Sequence, residues 1–288
     1  MFDYTEFTTR NIGFVTQAEQ AELRDAAVFV CGTGGMGGAC VLGLVRAGVG
    51  KLIIADLDEF EVSNLNRQVF AFDHTMDRHK AEATAEIARQ INPEIEIEVH
   101  HGDWTEQVDQ LIERSVIVVN GTDDLGASLL LYRRARALGK TVIDAYASPL
   151  PSVYVTTSTD KPHEERLGYP TVGTDWSKIT DDQRAQAFLL ESEWVVIHSS
   201  SRNYIDLDIV GEVVAGKRSR MSFAPMVITT GQLMCYEVIN AILGRPHGTD
   251  NRGYFFNPYK ASTERPKPAV VAAILRPLVR RFLKGLMK

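Results

Sequence analysis

The first half of the chain alternates short apolar runs with longer segments in which apolar residues recur at helical spacing. The apolar runs predict strands at Ala27–Cys31, Lys51–Ala55, Ile95–Val99, Ser115–Asn120 and Thr141–Ala145. The periodic segments predict helices at Gly35–Ala47, Lys80–Ile91, Thr105–Glu113 and Leu125–Leu138. Apolar strands that alternate with helices are typical of a parallel sheet covered on both faces. We therefore predict an α/β fold with a Rossmann-like, doubly wound, mostly parallel sheet.

The pattern changes in the second half of the chain. Ser152–Thr159 is rich in Val, Tyr and Thr and predicts a strand that extends the sheet in the antiparallel direction. Asp160–Gln186 is polar, contains Pro162 and Pro170, and predicts a long irregular excursion that reaches about residue 200. Ala224–Leu243 predicts a long core helix. One domain with a large insertion accounts for this order better than two domains.

The end of the chain, residues 268–288, has the pattern of a basic amphipathic helix. Its apolar residues at helical spacing are Ile274, Leu278, Phe282 and Leu286. The charged residues between them are all basic, and Pro277 is expected to start or kink the helix. Such a helix lies on an anionic membrane surface, contacts a partner, or packs against its own core or symmetry mate. Packing against the chain itself is the more ordinary of these alternatives.

Composition narrows the class of protein. The chain has 288 residues and a net charge of −6, so it is long enough for a sizeable core and gives no reason to expect nucleic-acid binding. The three cysteines are scattered and form no CxxC pair, so we expect neither a disulfide framework nor a zinc site. The acidic N-terminus lacks the pattern of a signal peptide, and no run has the length of a membrane span. We expect a cytoplasmic protein.

A glycine loop directly follows the first predicted strand. Gly32, Gly34 and Gly37 have the spacing G-x-G-x-x-G, and an acid, Asp56, ends the second strand. Such a loop brings phosphates to a helix N-terminus, and the acid holds a ribose hydroxyl. These features predict a nucleotide site, and they also fit an oxidoreductase that binds NAD(P) or FAD.

Polar and basic residues after the acid favour a triphosphate over a dinucleotide. Asn64, Arg67 and Gln68 follow Asp56 closely, and Lys80 begins the next predicted helix. Cations beside a phosphate loop stabilise charge on transferring phosphoryl groups, which hydride transfer does not require. Each cation taken alone is equally well explained as a solvated surface charge.

These residues carry a resemblance to a known family. Four parts of the sequence resemble the ThiF/MoeB/HesA adenylyltransferases, which are bacterial relatives of ubiquitin-activating enzymes. They are the glycine loop, the string Asp56-Leu57-Asp58-Glu59-Phe60-Glu61-Val62-Ser63-Asn64-Leu65-Asn66-Arg67-Gln68, the residue Lys80, and Gly121-Thr122-Asp123-Asp124. The resemblance implies an adenylation domain over residues 1–267, followed by the helix at 268–288. The nucleotide half would be residues 10–147, the excursion 160–200, and the core helix 224–243.

The resemblance also implies roles for individual residues. ATP would be bound by Gly32, Gly34, Gly35, Gly37, Asp56, Asp58, Asn64 and Gln68. Arg67 and Lys80 would hold the triphosphate and stabilise the transition state, and Asp123 would ligate Mg²⁺. Arg10 would reach the ATP of the partner subunit in a homodimer; an N-terminal arginine without function is the alternative. Many members have asparagine where this chain has Asp124, and that carboxylate either strengthens the metal site or faces solvent.

The implied reaction is attack of a substrate carboxylate on the α-phosphorus of ATP, giving an acyl-adenylate and pyrophosphate. The substrate would be the C-terminus of a ubiquitin-like or sulfur-carrier protein, a peptide, or a small carboxylic acid. No cysteine occurs between Cys40 and Cys235, so we expect transfer to another nucleophile without a cysteine thioester. A catalytically inactive scaffold subunit is an alternative, although the complete set of site residues argues against it.

Two features of the excursion have ordinary explanations. The hydroxyl-rich segment from His198 to Tyr204 is interpreted as a surface loop, with an acyl-acceptor site as the alternative. Trp176 and Trp194 are interpreted as packing anchors.

Overall fold

The computed structural model describes residues 1–214 and 217–286 and contains one mixed sheet. The sheet has eight strands in the order β3-β2-β1-β4-β5-β6-β7-β8. The strands are β1 (Ala27–Cys31), β2 (Lys51–Ala55), β3 (Glu96–His100), β4 (Ile117–Asn120), β5 (Val142–Asp144), β6 (Ser152–Thr156), β7 (Tyr254–Asn257) and β8 (Ser262–Glu264).

Helices precede, connect and follow these strands. They are α1 (Tyr4–Thr8), α2 (Gln17–Asp25), α3 (Gly35–Ala47), α4 (Lys80–Ile91), α5 (Trp104–Arg114), α6 (Leu125–Ala137), α7 (His163–Leu167), α8 (Asp181–His198), α9 (Leu207–Val214), α10 (Ala224–Ile242) and α11 (Ala269–Leu286). Short 3₁₀ helices occupy Thr9–Asn11, Val62–Asn64, Asp73–Thr75, Trp176–Lys178 and Ser201–Tyr204.

The direction of the strands confirms the predicted fold class. Strands β1 to β5 pair in parallel, with β1 between β2 and β4. Strands β6, β7 and β8 each pair antiparallel with the strand before them in the sheet. The antiparallel extension in the second half of the chain is therefore present.

Strand β1 lies at the centre because its side chains are apolar on both faces. Val28 and Val30 pack towards the side of α3, α4 and α10, whereas Phe29 packs towards α5 and α6. All three side chains are fully buried. This two-sided burial explains why the nucleotide half reads as continuous apolar runs rather than as alternating strands.

The prediction of an irregular segment over 160–186 is wrong in two places. The short helix α7 lies within it, and α8 begins at Asp181 and continues for 18 residues. The start of α8 is fixed by a capping box, in which Thr180 and Gln183 exchange hydrogen bonds between side chain and backbone. Trp176 and Trp194 pack against buried apolar clusters, which confirms that they are packing anchors.

The segment from His198 to Ser201 is mostly buried, so the interpretation of residues 198–204 as a surface loop is wrong for these residues, although Arg202 and Asn203 are exposed. His198, Ser199 and Ser201 are each at most 6% exposed. The hydroxyl of Ser201 lies 3.2 Å from that of Ser148, at the start of the loop that precedes β6. The segment therefore forms part of the interior beside the end of β5.

The C-terminal helix α11 packs against the chain itself. Ala272, Val279 and Leu283 are buried in a cluster with Ile197 of α8. The helix continues through Pro277 from Ala269 to Leu286, and the last residues of the predicted segment, 287 and 288, lie outside the described residues. Within the described residues, no helix combines the length and the apolar character needed to cross a membrane.

Candidate active site

The candidate site lies where the order of the parallel strands reverses, between β1 and β4. The connection from β1 runs to α3 on one face of the sheet, and the connection from β4 runs to α6 on the other. The two connections therefore separate and leave a crevice at the carboxyl ends of the strands. Open α/β sheets bind ligands in such a crevice.

Close backbone contacts across this crevice explain two of the glycines. Gly32 has a φ of +86°, and a Cβ there would lie 2.4 Å from the carbonyl carbon of Gly121. A Cβ on Gly37 would lie 1.9 Å from the carbonyl oxygen of Gly32. Gly34 caps the N-terminus of α3, and Gly35 is the first residue of the helix. The free N–H groups of this helix end consequently face the crevice.

Asp56 holds the glycine loop in place. One of its carboxylate oxygens accepts hydrogen bonds from the backbone N–H of Thr33, at 2.6 Å, and from the Thr33 hydroxyl, at 3.0 Å. The other oxygen accepts from the backbone N–H of Asp58 at 3.0 Å. Asp56 is therefore rigid and lies at the tip of β2, where the sequence analysis expects the ribose.

Lys80 is almost entirely buried, which excludes its interpretation as a solvated surface charge. Its side chain is 9% exposed, and its Nζ lies 2.8 Å from Oδ2 of Asp58. Asp58 itself is 67% exposed at the side chain. The lysine is thus a fixed cation at the start of α4, and its partner is a carboxylate on the rim.

The segment after β2 brings an arginine and two side-chain amides to the same crevice. Arg67 donates from Nη1 to the backbone oxygen of Ser63 at 2.7 Å and to Oδ1 of Asn66 at 2.9 Å. Within the described part of the chain, Arg67 forms no ion pair with a carboxylate. Asn64 is buried and closes the turn by accepting from the backbone N–H of Glu61 at 3.2 Å.

Gln68 is the one residue of this set with an unpartnered buried atom. It is 7% exposed, and its Oε1 has no hydrogen-bond partner. Its side chain lies 3.6 Å from the position that a Cβ on Gly34 would occupy. The amide therefore contacts the glycine loop and offers a free polar atom there.

The two acids after β4 have separate surroundings. Asp123 is exposed and lines the cavity, and its carboxylate has no hydrogen-bond or salt-bridge partner within residues 1–214 and 217–286. Asp124 caps α6, with Oδ1 accepting from the N–H of Ala127 at 2.7 Å, and it forms an ion pair with Arg184. Asp124 therefore has a structural role, which neither of the two alternatives stated for it included.

Arg10 lies away from the cavity of its own chain. It is exposed in the 3₁₀ turn Thr9–Asn11, which follows α1. Tyr4 of α1 anchors this N-terminal segment by donating from its hydroxyl to the backbone oxygen of Gly48 at 2.5 Å. Of the residues that the sequence analysis assigned to catalysis, the structure brings together Arg67, Lys80 and Asp123, and it leaves Arg10 apart.

One continuous cavity of about 1200 Å³ connects these groups. The nucleotide half of the cavity is lined by Gly32, Gly34, Gly35, Asp56, Asp58, Asn64, Arg67, Gln68, Lys80 and Asp123. The other half runs past the loop Tyr146–Pro151 to α8, α9 and α11. Most residues of this second half were not identified from the sequence, because their signal is apolar spacing on distant helices. Ser201, Arg202 and Tyr204 are exceptions, since they belong to the segment for which an acyl-acceptor site was the alternative.

A buried group of ionisable side chains lies beneath the site. Asp144, at the end of β5, accepts a hydrogen bond from the Tyr132 hydroxyl at 2.8 Å. Burial raises the pKa of Asp144 to about 7, although hydrogen bonds from Tyr132 and Ala145 oppose that rise. The neighbouring His163 has a pKa held well below its usual value by burial and by the Arg166 cation.

The cysteines do not belong to the site. Cys31, Cys40 and Cys235 are all buried. Burial raises the pKa of Cys235 to about 12 and raises those of Cys31 and Cys40 as well. These thiols are therefore neutral and inaccessible, and neither property suits a nucleophile. Within the described residues, His, Cys, Asp and Glu form no cluster of three or more that could hold a metal ion.

A comparison with known protein families matches residues 8–271 to the ThiF family. This chain belongs to the ThiF family. The match confirms the resemblance drawn from the glycine loop and the string between Asp56 and Gln68. It also covers the predicted excursion and extends past residue 267 into the start of α11.

Individual relatives of this ThiF-family chain align over about half of its length. Sulfur carrier protein ThiS adenylyltransferase of Escherichia coli (strain K12) is 32% identical over 129 residues, which are 44% of this chain and 51% of that protein. Adenylyltransferase and sulfurtransferase MOCS3 of Anopheles gambiae is 35% identical over 132 residues, which are 46% of this chain and 30% of that protein. The chain thus spans about half or less of the length of these relatives.

Solved structures support the fold over most of the chain. Escherichia coli tRNA N6-threonylcarbamoyladenosine dehydratase, TcdA, in complex with ATP has a TM-score of 0.58 and 19% identity, and the match covers 83% of this chain and 95% of that one. Escherichia coli MccB with ATP has a TM-score of 0.59 and 17% identity, and covers 88% and 67%. At these identities the likeness confirms the fold and nothing beyond it.

Proposed function

We propose that this ThiF-family protein is an ATP-dependent adenylyltransferase that activates a carboxylate. The observation that carries the proposal is the shared cavity of the glycine loop, Arg67, Lys80 and Asp123. A helix N-terminus and two cations suit a triphosphate, and a dinucleotide oxidoreductase has no use for Arg67 and Lys80. The relatives named as adenylyltransferases support the same activity.

The residues present fit ATP together with Mg²⁺. Mg²⁺ typically takes one or two protein carboxylates and fills its remaining positions with phosphate oxygens and water. Asp123 supplies an exposed carboxylate without a protein partner at the end of β4, so it would hold the ion. The free N–H groups of α3 would receive phosphates, and Asp56 would hold the ribose. Mg²⁺ would neutralise part of the triphosphate charge.

The chemistry requires positive charge because both reactants are anions. An oxygen of the substrate carboxylate forms a bond to the α-phosphorus while the bond to the leaving pyrophosphate breaks. Arg67, which has free donors and no carboxylate partner within the described residues, would bind the phosphate oxygens as charge develops. Lys80 would exchange the Asp58 carboxylate, which is exposed at the rim of the cavity, for phosphate oxygens.

The burial of the cysteines bears on which nucleophile receives the acyl group. All three thiols are buried with raised pKa values, so a thioester on this chain is not part of the proposal. The adenylate would pass directly to an external nucleophile such as an amine, a thiol or a persulfide. The carboxylate substrate itself is the C-terminus of a sulfur-carrier or ubiquitin-like protein, a peptide, or a small acid.

We further propose a homodimer in which Arg10 completes the partner's site. Arg10 is exposed and does not line its own cavity. Phe14, close to it in sequence, is a large apolar side chain with 87% exposure. An exposed phenylalanine close in sequence to an arginine that has no salt-bridge partner among residues 1–214 and 217–286 suits a surface that another copy covers.

Exchange of pyrophosphate into ATP, driven by a panel of carboxylates, tests the proposed activity. We expect Arg67→Ala and Lys80→Ala each to lower the exchange rate by about 10²–10³, the usual effect of removing one charge-stabilising donor. Arg78→Ala is the matched control, because Arg78 pairs with Glu86 near the site but does not line the cavity. An unchanged exchange rate in both site variants would contradict the catalytic roles of Arg67 and Lys80.

Heat stabilisation by nucleotides separates ATP from dinucleotides in the same preparations. We expect ATP with Mg²⁺ to raise the melting temperature of the unmodified protein, since a ligand of the native state stabilises it. NAD at the same concentration should leave the melting temperature unchanged. Stabilisation by NAD alone would favour the oxidoreductase alternative.

A further inference from the structure

The cavity is larger than a nucleotide site requires. Its volume of about 1200 Å³ exceeds the roughly 300–1000 Å³ that is usual for a small-molecule pocket. The nucleotide half ends near Tyr146, and the remaining space lies between α8, α9 and α11. We call this space the distal chamber, defined by Phe188, Val196, Val210, Val213, Phe282 and Leu286.

The walls of the distal chamber are apolar. Phe188 and Val196 lie eight residues apart on α8 and so share one face of that helix, and Val210 and Val213 share a face of α9 in the same way. These side chains are half-buried, because they face the chamber instead of the core. An apolar group that filled the chamber would remove them from water.

The charge around the chamber favours an anion. Among the described lining residues beyond position 140, the charged ones are Arg202 and Arg220. The Arg220 guanidinium lies 4.9 Å from the centroid of the Phe188 ring. The acids among the described lining residues all come from positions 56 to 123. A ligand with one carboxylate and an uncharged body therefore matches both the cations and the apolar walls.

Helices α9 and α11 close one wall of the chamber. A Cβ on Gly211 of α9 would lie 2.7 Å from the backbone oxygen of Leu286 on α11. The backbones are therefore in direct contact, and only glycine permits that approach. Leu286 also lines the cavity, so this contact is a wall between whose helices no chain can pass, which suits a compact body better than a polypeptide that continues through it.

We propose that the carboxylate activated by this protein belongs to a free monocarboxylic acid with an apolar alkyl or aryl body. This proposal rests on the adenylyltransferase function and specifies its substrate. The body occupies the distal chamber, and the carboxylate oxygen faces the α-phosphorus, where it forms the new P–O bond as pyrophosphate leaves. Arg202 and Arg220 attract the anion into the cavity.

Two probes and one matched pair of variants test the proposal. Binding of octanoate and 4-phenylbutyrate is measured by equilibrium dialysis without ATP, and adipate serves as the control acid with a second charge. Val210→Trp fills the chamber, whereas Asp208→Trp adds the same side chain at an exposed position of α9. Pyrophosphate exchange is then measured with the three acids and with a peptide that ends in Gly-Gly.

We expect exchange with octanoate or 4-phenylbutyrate to exceed exchange with adipate by about tenfold or more. Val210→Trp should lower kcat/KM for the apolar acid by about 10- to 100-fold and leave stabilisation by ATP unchanged, while Asp208→Trp should change neither. Exchange with the Gly-Gly peptide alone would overturn the proposal and keep the adenylation function. Absence of binding by both apolar acids would also overturn the proposal. A third outcome is that the apolar acids bind and Val210→Trp abolishes that binding, but no acid supports pyrophosphate exchange. That outcome would instead contradict the adenylation function.

Discussion

Asp144 shows how a single residue beneath the site couples ionisation to stability. Its carboxyl is 6% exposed, and burial raises its pKa to about 7 from an ordinary value of 3.8. Between these values the folded protein holds a proton that the unfolded chain has lost. The stabilisation that this proton supplies is therefore complete below about pH 4 and is lost as the pH rises towards 7.

Asp144→Asn should remove this pH dependence. The amide keeps the shape of the side chain and an oxygen that can accept from Tyr132. We expect the free energy of unfolding of the unmodified protein to fall relative to that of the variant by about 1.4 kcal/mol per pH unit between pH 4 and 7. Urea unfolding of both proteins at a series of pH values measures the difference between their free energies of unfolding. The contributions of His163 and His198 cancel in this difference because both proteins contain these residues. Parallel curves would mean that Asp144 is ionised in the fold.

At the scale of elements, a helix or strand can be predicted from the sequence when its buried side chains all face the same kind of surroundings. It is missed when some of them face the core and others face a cavity. Strand β1 and its neighbours are apolar on both faces, so their runs are visible in the sequence. Helix α8 sends Ala187 and Ile197 to the core and Phe188 to the distal chamber, and this mixture hides its helical period. The capping box of Thr180 and Gln183 was the available signal for its start. The chamber itself depends on how α8, α9 and α11 meet, which local pattern does not encode.

The contact between α8 and α11 depends on one buried carboxylate. Glu193 is 6% exposed and accepts from Arg276 at 2.8 Å and from Arg280 at 2.6 Å. Both arginines are about half-exposed at the side chain. The three side chains fasten the C-terminal helix, so the predicted packing against the chain's own core has an electrostatic as well as an apolar part.

Removing the two arginines should lower the free energy of unfolding more than removing the carboxylate does. The double change Arg276→Ala with Arg280→Ala leaves the buried Glu193 carboxylate unpaired, and we expect a loss of about 3–5 kcal/mol in unfolding free energy. Glu193→Gln leaves the arginines free to reach water and should cost less than half of that. Denaturant unfolding of both variants measures the difference. Equal losses would mean that Glu193 reaches solvent and that desolvation is not the dominant cost.

At the scale of the whole molecule, the site combines distant parts of the chain. The glycine loop, Asp56, Arg67, Lys80 and Asp123 come from the first half. The glycine loop, Asp56 and Asp123 follow strand ends, which meet at one edge of a doubly wound sheet, whereas Arg67 and Lys80 were assigned from their charge and from the family resemblance. The second half of the cavity comes from residues beyond 140. Arg10 is apart from both, so the role proposed for it depends on an assembly of two chains.

Mixing two inactive variants tests whether Arg10 acts in the partner's site. Arg10→Ala and Asp123→Ala should each be nearly inactive alone. A mixed dimer has one site with both residues intact if Arg10 acts across the interface, so random exchange of subunits should restore about a quarter of the unmodified activity. If Arg10 acted within its own chain, every site in the mixture would lack one residue and no activity would return. Pyrophosphate exchange after the two variants are unfolded and refolded together measures the outcome. Refolding each variant separately before mixing supplies the control, because subunits that cannot exchange should stay inactive.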